Sequence, residues 1–195
     1  IYAFLFCYAL EEFIVDQDNS AYTSIDGILY SKDLSNLVLC PTGKTGNITI
    51  PYHVNLIGDN SFRYCRNITA IKLPNSTTLI GKFAFYGCKN LVNIEIPNSL
   101  SSIGDGAFYG CINLKNVFIP NSVISIGDEA FESCQSLNNI TIPNSVSSIG
   151  KRAFRRCESL NRISIPNSVT SINEQTFWEC HNLIAVEIPE SVIRI

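Results

Sequence analysis

The sequence predicts a solenoid of stacked 23-residue coils, each holding a short parallel strand, a second shorter extended segment and a single helical turn. Three observations lead there. Ile57, Ile80, Ile103, Ile126, Ile149, Ile172 and Ile195 recur at a constant step of 23 residues. The columns Phe62 to Phe177, Cys65 to Cys180 and Pro51 to Pro189 keep the same step without a gap. The unit they define, LxxIxIPNSVxSIGxxAFxxC, is too short to bury its own apolar face, so it must lie against copies of itself. An apolar content of 46% is ample for the continuous core that such stacking makes.

Within one row, Leu91, Ile94 and Ile96 alternate with polar residues and end at Pro97, which cannot donate to a ladder; this reads as a short strand. Asn98 and Ser99 then turn the chain, because proline presets φ and asparagine tolerates unusual backbone angles. Val123 to Ile126 supplies the second extended segment and Gly127 breaks it. Asp128 to Cys134, with its Ala-Phe-x-x-Cys spacing, reads as the helical turn. Strands pairing at about 4.8 Å would make six coils into a platform about 30 Å across.

The whole of 1–195 reads as one domain. Residues 1–15 read as a partial repeat, since Ala3, Phe4, Cys7, Leu10, Phe13 and Val15 reproduce the spacing of Ala84, Phe85, Cys88, Leu91, Ile94 and Ile96. Residues 48–195 hold about six consecutive repeats. Because the chain starts and stops inside repeats, a longer parent chain is expected. Residues 16–47 break the register, and Ile28-Leu29-Tyr30 and Leu37-Val38-Leu39 around Ser31 to Asn36 read as an inserted β-hairpin. Its start, Asp16-Gln17-Asp18-Asn19-Ser20, resembles a calcium loop, but Ala21 and Gly27 stand where glycine and glutamate are required, so no metal is expected.

Charge and chemistry narrow the function. A net charge of -3 and a charged fraction of 16% supply no basic field for nucleic acid or anionic lipid. No stretch approaches the roughly 20 apolar residues of a membrane-spanning helix, so no membrane insertion is expected. The cysteines lie a full period apart, which is no zinc knuckle; they are either reduced thiols filling the core or, at inter-coil spacing, disulfides. Cys7 is expected in their column and Cys40 in the hairpin. His53 and His181 sit at outward positions, away from any nucleophile and carboxylate that would make them a base. No catalytic residue and no cofactor is expected.

The repeat LxxIxIPxxVxSIGxxAFxxC closely resembles the leucine-rich repeat subclass of the treponemal repeat protein and the BspA-like surface antigens. The segment Asp26-Gly27-Ile28-Leu29-Tyr30-Ser31-Lys32-Asp33, followed by Cys40-Pro41, resembles one that recurs between repeats in that family. The resemblance implies a curved right-handed leucine-rich repeat solenoid on a cell surface or secreted, adhering to host matrix or other cell-surface proteins. Ser76, Ser99, Ser122, Ser145, Ser168 and Ser191 stand where the commoner leucine-rich repeat has an Asn ladder.

Side chains facing water are the ones free to differ from row to row, so a partner would be read there. On the strand face these are Lys72, Asn93, Glu95, Asn116, Phe118, Asn139, Thr141, Arg162 and Ser164, with Phe118 either a binding hot spot or a tolerated surface aromatic. A second surface is the edge carrying Tyr64, Tyr86, Tyr109 and Trp178. A basic row, Lys151, Arg152, Arg155, Arg156 and Arg162, meets either an anionic ligand or the acids one coil away, such as Glu132, as exposed salt bridges. The leading reading is a non-catalytic protein-binding module. The alternatives are a carbohydrate-active β-helix enzyme, which needs paired acids on one face, and an intracellular scaffold.

Overall fold

The computed structural model describes residues 2–195. Each Ile-x-Ile run forms a strand with its apolar residue turned inward. β4 (Thr45–Thr49), β6 (Asn67–Lys72), β8 (Asn93–Glu95), β10 (Asn116–Phe118) and β12 (Asn139–Thr141) make a five-stranded parallel sheet, which β14 (Arg162–Ser164) and β15 (Ala185–Glu187) follow as a parallel pair. Register steps by one period, with Val117 beside Ile140 and Ile163 beside Val186. The second segments are β5 (Leu56–Ile57), β7 (Leu79–Ile80), β9 (Ser102–Ile103), β11 (Ser125–Ile126) and β13 (Ser148–Ile149), also parallel. The molecule is thus a β-solenoid of about seven turns with almost no helix.

The inserted segment forms the expected hairpin and one strand more. β2 (Ile28–Ser31) pairs antiparallel with β3 (Asn36–Leu39), and β1 (Tyr22–Ile25) adds to the other edge of β2. β3 then runs parallel to β5, so the insert continues the sheet of second segments. Its turn is tied by Asp33, which accepts from Ser31 Oγ at 2.6 Å and Ser35 Oγ at 2.8 Å; these bonds hold its carboxyl down at about 2.

Between the two sheets lie the internal files. Phe62, Phe85, Phe108, Phe131, Phe154 and Phe177 stack with ring centroids 5.1 to 5.8 Å apart. Beside them, every thiol of the column after Cys65 donates to the phenylalanine carbonyl of the preceding coil: Cys88 to Phe62 at 3.0 Å, Cys111 to Phe85 at 3.1 Å, Cys134 to Phe108 at 3.2 Å. Cys157 and Cys180 do the same to Phe131 and Phe154. The serine column repeats the logic on the other side. Ser76, Ser99, Ser168 and Ser191 donate to Val54, Thr77, Val146 and Val169 of the coil before, which is how serine serves where other repeats use asparagine. Ser122 and Ser145 occupy the same column without a bonded partner.

Two expectations are corrected. The stretch read as a helical turn is a ladder between coils. Glu129, Phe131 and Ser133 donate their N–H to Lys151, Ala153 and Arg155 of the next coil, while Glu132 and Cys134 bond three residues back. Alternating the two bond types requires a left-handed residue twice per coil, at Glu129 (φ 57) and Ser133 (φ 60), and a helix has no place for such residues. The same pair of positions falls on Gly106 and Gly110 one coil earlier.

The partial repeat expected over 1–15, whose first residue lies outside the described residues, does not extend the internal files. Phe4 is 46% exposed and rests its ring edge on Phe13 at 5.2 Å, and Cys7 is exposed. Cys40, expected in the hairpin, is buried against Cys65, whose thiol reaches the Cys40 and Pro41 carbonyls. The N-terminal segment instead covers the insert through Phe13 N–H to Gly27, Gly43 N–H to Leu10, and Thr42 Oγ1 to the Cys7 carbonyl. A side chain at Gly43 would meet the Leu10 carbonyl at 2.6 Å, so glycine is required for that cover to close.

Candidate functional site

Parallel pairing sets the outward side chains of the strand sheet in rows. In one row Ala70, Asn93, Asn116 and Asn139 stand on neighbouring strands, followed by Arg162 beside Ala185. In the other, Lys72 neighbours Glu95, Phe118 neighbours Thr141, and Ser164 neighbours Glu187. All nine residues expected to meet a partner, Lys72, Asn93, Glu95, Asn116, Phe118, Asn139, Thr141, Arg162 and Ser164, are exposed. Phe118, at the middle of the platform, is 71% exposed.

The small side chains of Ala70 and Ala185 leave shallow depressions on either side of Phe118. One of about 210 Å³ is lined by Thr49, Ala70, Lys72, Asn93 and Glu95; the other, of about 230 Å³, by Thr141, Arg162, Ser164, Ala185 and Glu187. Each holds a cation and a carboxylate. No two carboxylates occupy neighbouring strands in these rows among the described residues, because Glu95 lies beside Lys72 and Glu187 beside Ser164.

The corner edge carries a feature that spacing alone did not single out. One file reads Arg63, Tyr86, Tyr109, Glu132, Arg155, Trp178, each a period from the next. Arg63 lies over Tyr86 at 4.2 Å, Tyr86 stacks on Tyr109 at 4.7 Å, Glu132 pairs with Arg155 at 3.2 Å, and Arg155 lies over Trp178 at 4.3 Å. Three arginines of the basic row meet the neighbouring acids, as Arg152 with Glu129 and Arg156 with Glu179 also show. One pair differs from the exposed bridges expected: Glu132 is 3% exposed, and burial pushes its carboxyl up although Arg155 pulls it down. Reading the columns by charge and aromatic type, rather than by apolar type, reveals this file in the sequence.

Burial also raises the thiols of Cys88, Cys111, Cys134 and Cys157, and moves Cys180 up to about 11. These sulfurs are protonated donors in the core at neutral pH, unsuited to nucleophilic work.

The model of the BspA type leucine rich repeat region matches residues 32–128 and 101–195, in six copies. The chain belongs to the BspA-type leucine-rich repeat family. Solved structures agree with that assignment. A leucine-rich repeat protein from Eubacterium ventriosum is 28% identical with a TM-score of 0.85, over 93% of this chain and 50% of that one. The Treponema pallidum leucine rich repeat protein is 29% identical with a TM-score of 0.77, over 90% and 83%. A leucine rich cell surface protein from Faecalibacterium prausnitzii is 31% identical with a TM-score of 0.69, over 93% and 42%. This BspA-type chain therefore spans about half the length of the Eubacterium protein. No curated protein matches it.

Proposed function

We propose that this BspA-type chain is a non-catalytic adhesion module that binds proteins of a host matrix or of another cell through its strand face, at a cell surface. The observation that carries the reading is Phe118, a large aromatic left 71% exposed at the centre of a rigid sheet and ringed by amides, hydroxyls and one charge of each sign on either side. A central aromatic with a polar rim is the usual anatomy of a binding hot spot. The surface location rests on the family and on the neighbour described as a cell surface protein. The rows offer a glycosidase no carboxylate pair, so the enzymatic alternative gains no support from the geometry.

Phe118→Ala removes the anchor without touching the core. Against a panel of immobilised matrix proteins, any partner bound by the wild type should be held about thirtyfold more weakly by the variant, corresponding to the 2 kcal/mol or so of a hot spot. Unchanged binding by a variant with wild-type melting behaviour would remove the strand face from the account.

A further inference from the structure

The cations of the corner edge divide into two groups. Arg152, Arg155, Arg156 and Lys82 each meet a carboxylate. Arg63 and Arg66, Lys89 one period after Arg66, and Lys151 in a later coil meet none among the described residues, and only the first three lie together. The contrast is sharpest within single files: Arg155 has Glu132 beside it, whereas Arg63, in the same file, has tyrosine. The file of Arg66 and Lys89 turns acidic only at Glu158. The first coils therefore gather Arg63, Arg66 and Lys89 against Asp59 alone in that corner, an excess of positive charge on a chain whose net charge is -3.

That corner is also aromatic. The Arg63 guanidinium lies 5.3 Å from the Tyr64 ring and 4.2 Å from that of Tyr86; Arg66 lies 5.6 Å from Tyr64 and 4.8 Å from Tyr8. Each guanidinium thus has aromatic rings on two sides, which limits the positions it can take. The Nε of each is shielded from water and has no acceptor, and Arg63 Nη1 donates to Asn60 Oδ1 at 2.9 Å, so the outward donors are Nη2 of Arg63 and the fork end of Arg66. Phe6 and Tyr8, about half exposed, stand beside them.

We propose that Arg63, Arg66 and Lys89, walled by Tyr8, Tyr64 and Phe6, form a binding site for a sulfated polysaccharide. Guanidinium forks match sulfate oxygens, and free aromatic rings carry the C–H faces of sugar rings. Arg66 and Lys89 occupy the same position on successive coils, whose backbones lie about 4.8 Å apart, so their charges follow one another along the stack as a polyanion running parallel to it requires. A peptide finds less here. The local N–H groups of Arg63, Tyr64 and Arg66 already bond to Asn60, Tyr86 and Tyr64, leaving no backbone edge on which to add a strand. The site is distinct from the strand face and stands or falls separately from it.

The test is calorimetric titration of the whole chain with a size-defined heparin-type oligosaccharide, at low and at physiological salt. Binding should weaken with salt, and Arg63→Gln/Arg66→Gln should weaken it at least about tenfold. Lys89→Gln, on an exposed side chain that supports no fold contact, should cost about threefold and serves if the double variant does not fold. Arg162→Gln on the strand face should change affinity less than about twofold, so failure here leaves the adhesion reading standing. The proposal is overturned if Arg162→Gln loses as much as the corner variants, if the desulfated oligosaccharide binds equally, or if a sulfotyrosine peptide of the same charge competes at equal concentration.

Discussion

At the scale of single residues, the cysteine column shows why spacing underdetermines role. A thiol in this place is both a core filler and a donor, since the Phe85 carbonyl takes the Cys88 N–H and the Cys111 thiol together. Cys111→Ala should therefore cost about 1–2 kcal/mol in chemical denaturation, from a small cavity and one weak bond. The same burial predicts reactivity. In the folded protein at neutral pH a thiol reagent should modify Cys7 rapidly and the seven buried cysteines only on unfolding; fast modification of a second site contradicts the packing. Glu132 yields a pH prediction. Its folded carboxyl titrates above its unfolded one, so between those two values the folded chain holds the extra proton and the group's contribution is lost as pH rises. Glu132→Gln should then gain stability relative to wild type as pH rises through that interval, whereas Glu179, held low by Arg156, acts in the opposite sense in both proteins. A constant difference across mildly acidic pH would refute this.

At the scale of elements, what the sequence made legible was whatever a column of one residue type encodes. The strands and the second segments followed from isoleucine alternation stopped by proline, and the hairpin from two apolar runs around a polar turn. The corner was misread because Ala-Phe-x-x-Cys has helical spacing whether or not the backbone is helical. The true signal was glycine at Gly87, Gly106 and Gly110, each with positive φ, scattered among columns where other rows tolerate serine or arginine. The N-terminal segment was misread for the same reason: the spacing from Phe4 to Val15 matches a coil, but its role is to cover the insert, and Cys40 takes the place below Cys65. Of the candidate strand-face site, the positions were legible from alternation alone. The depressions at Ala70 and Ala185 were not, because they depend on which rows become neighbours. Gly110 isolates the backbone requirement, since a Cβ there would have its nearest neighbour at 3.8 Å and so no clash. Gly110→Ala should cost about 1–2 kcal/mol through φ alone, and Ser133→Gly, one coil on, should be neutral or stabilising by up to about 1 kcal/mol.

At the scale of the molecule, every file, whether phenylalanine ring, thiol, serine hydroxyl or corner carbonyl, joins a coil to the one before or after it. Stability is then close to a sum of coil and interface terms, and no interior coil is privileged over another. The internal file also predicts a gradient, because Phe131 is fully buried between two rings whereas Phe177 is stacked on one side only and half-buried. Phe131→Ala should cost about 3–5 kcal/mol and Phe177→Ala distinctly less. Holding the chain together by repetition leaves the outward rows free to differ, which is why the two surfaces proposed for binding, the strand face and the basic corner, differ in chemistry on one scaffold.

The most direct test of that account is denaturant unfolding of a chain lacking residues 139–161, one whole period, so that Asn138 runs into Arg162 in register. A stack held by neighbour contacts should lose one turn and keep the rest, unfolding cooperatively with a smaller dependence on denaturant than the parent, in proportion to the surface removed. A deletion variant that is unfolded before denaturant is added would contradict it.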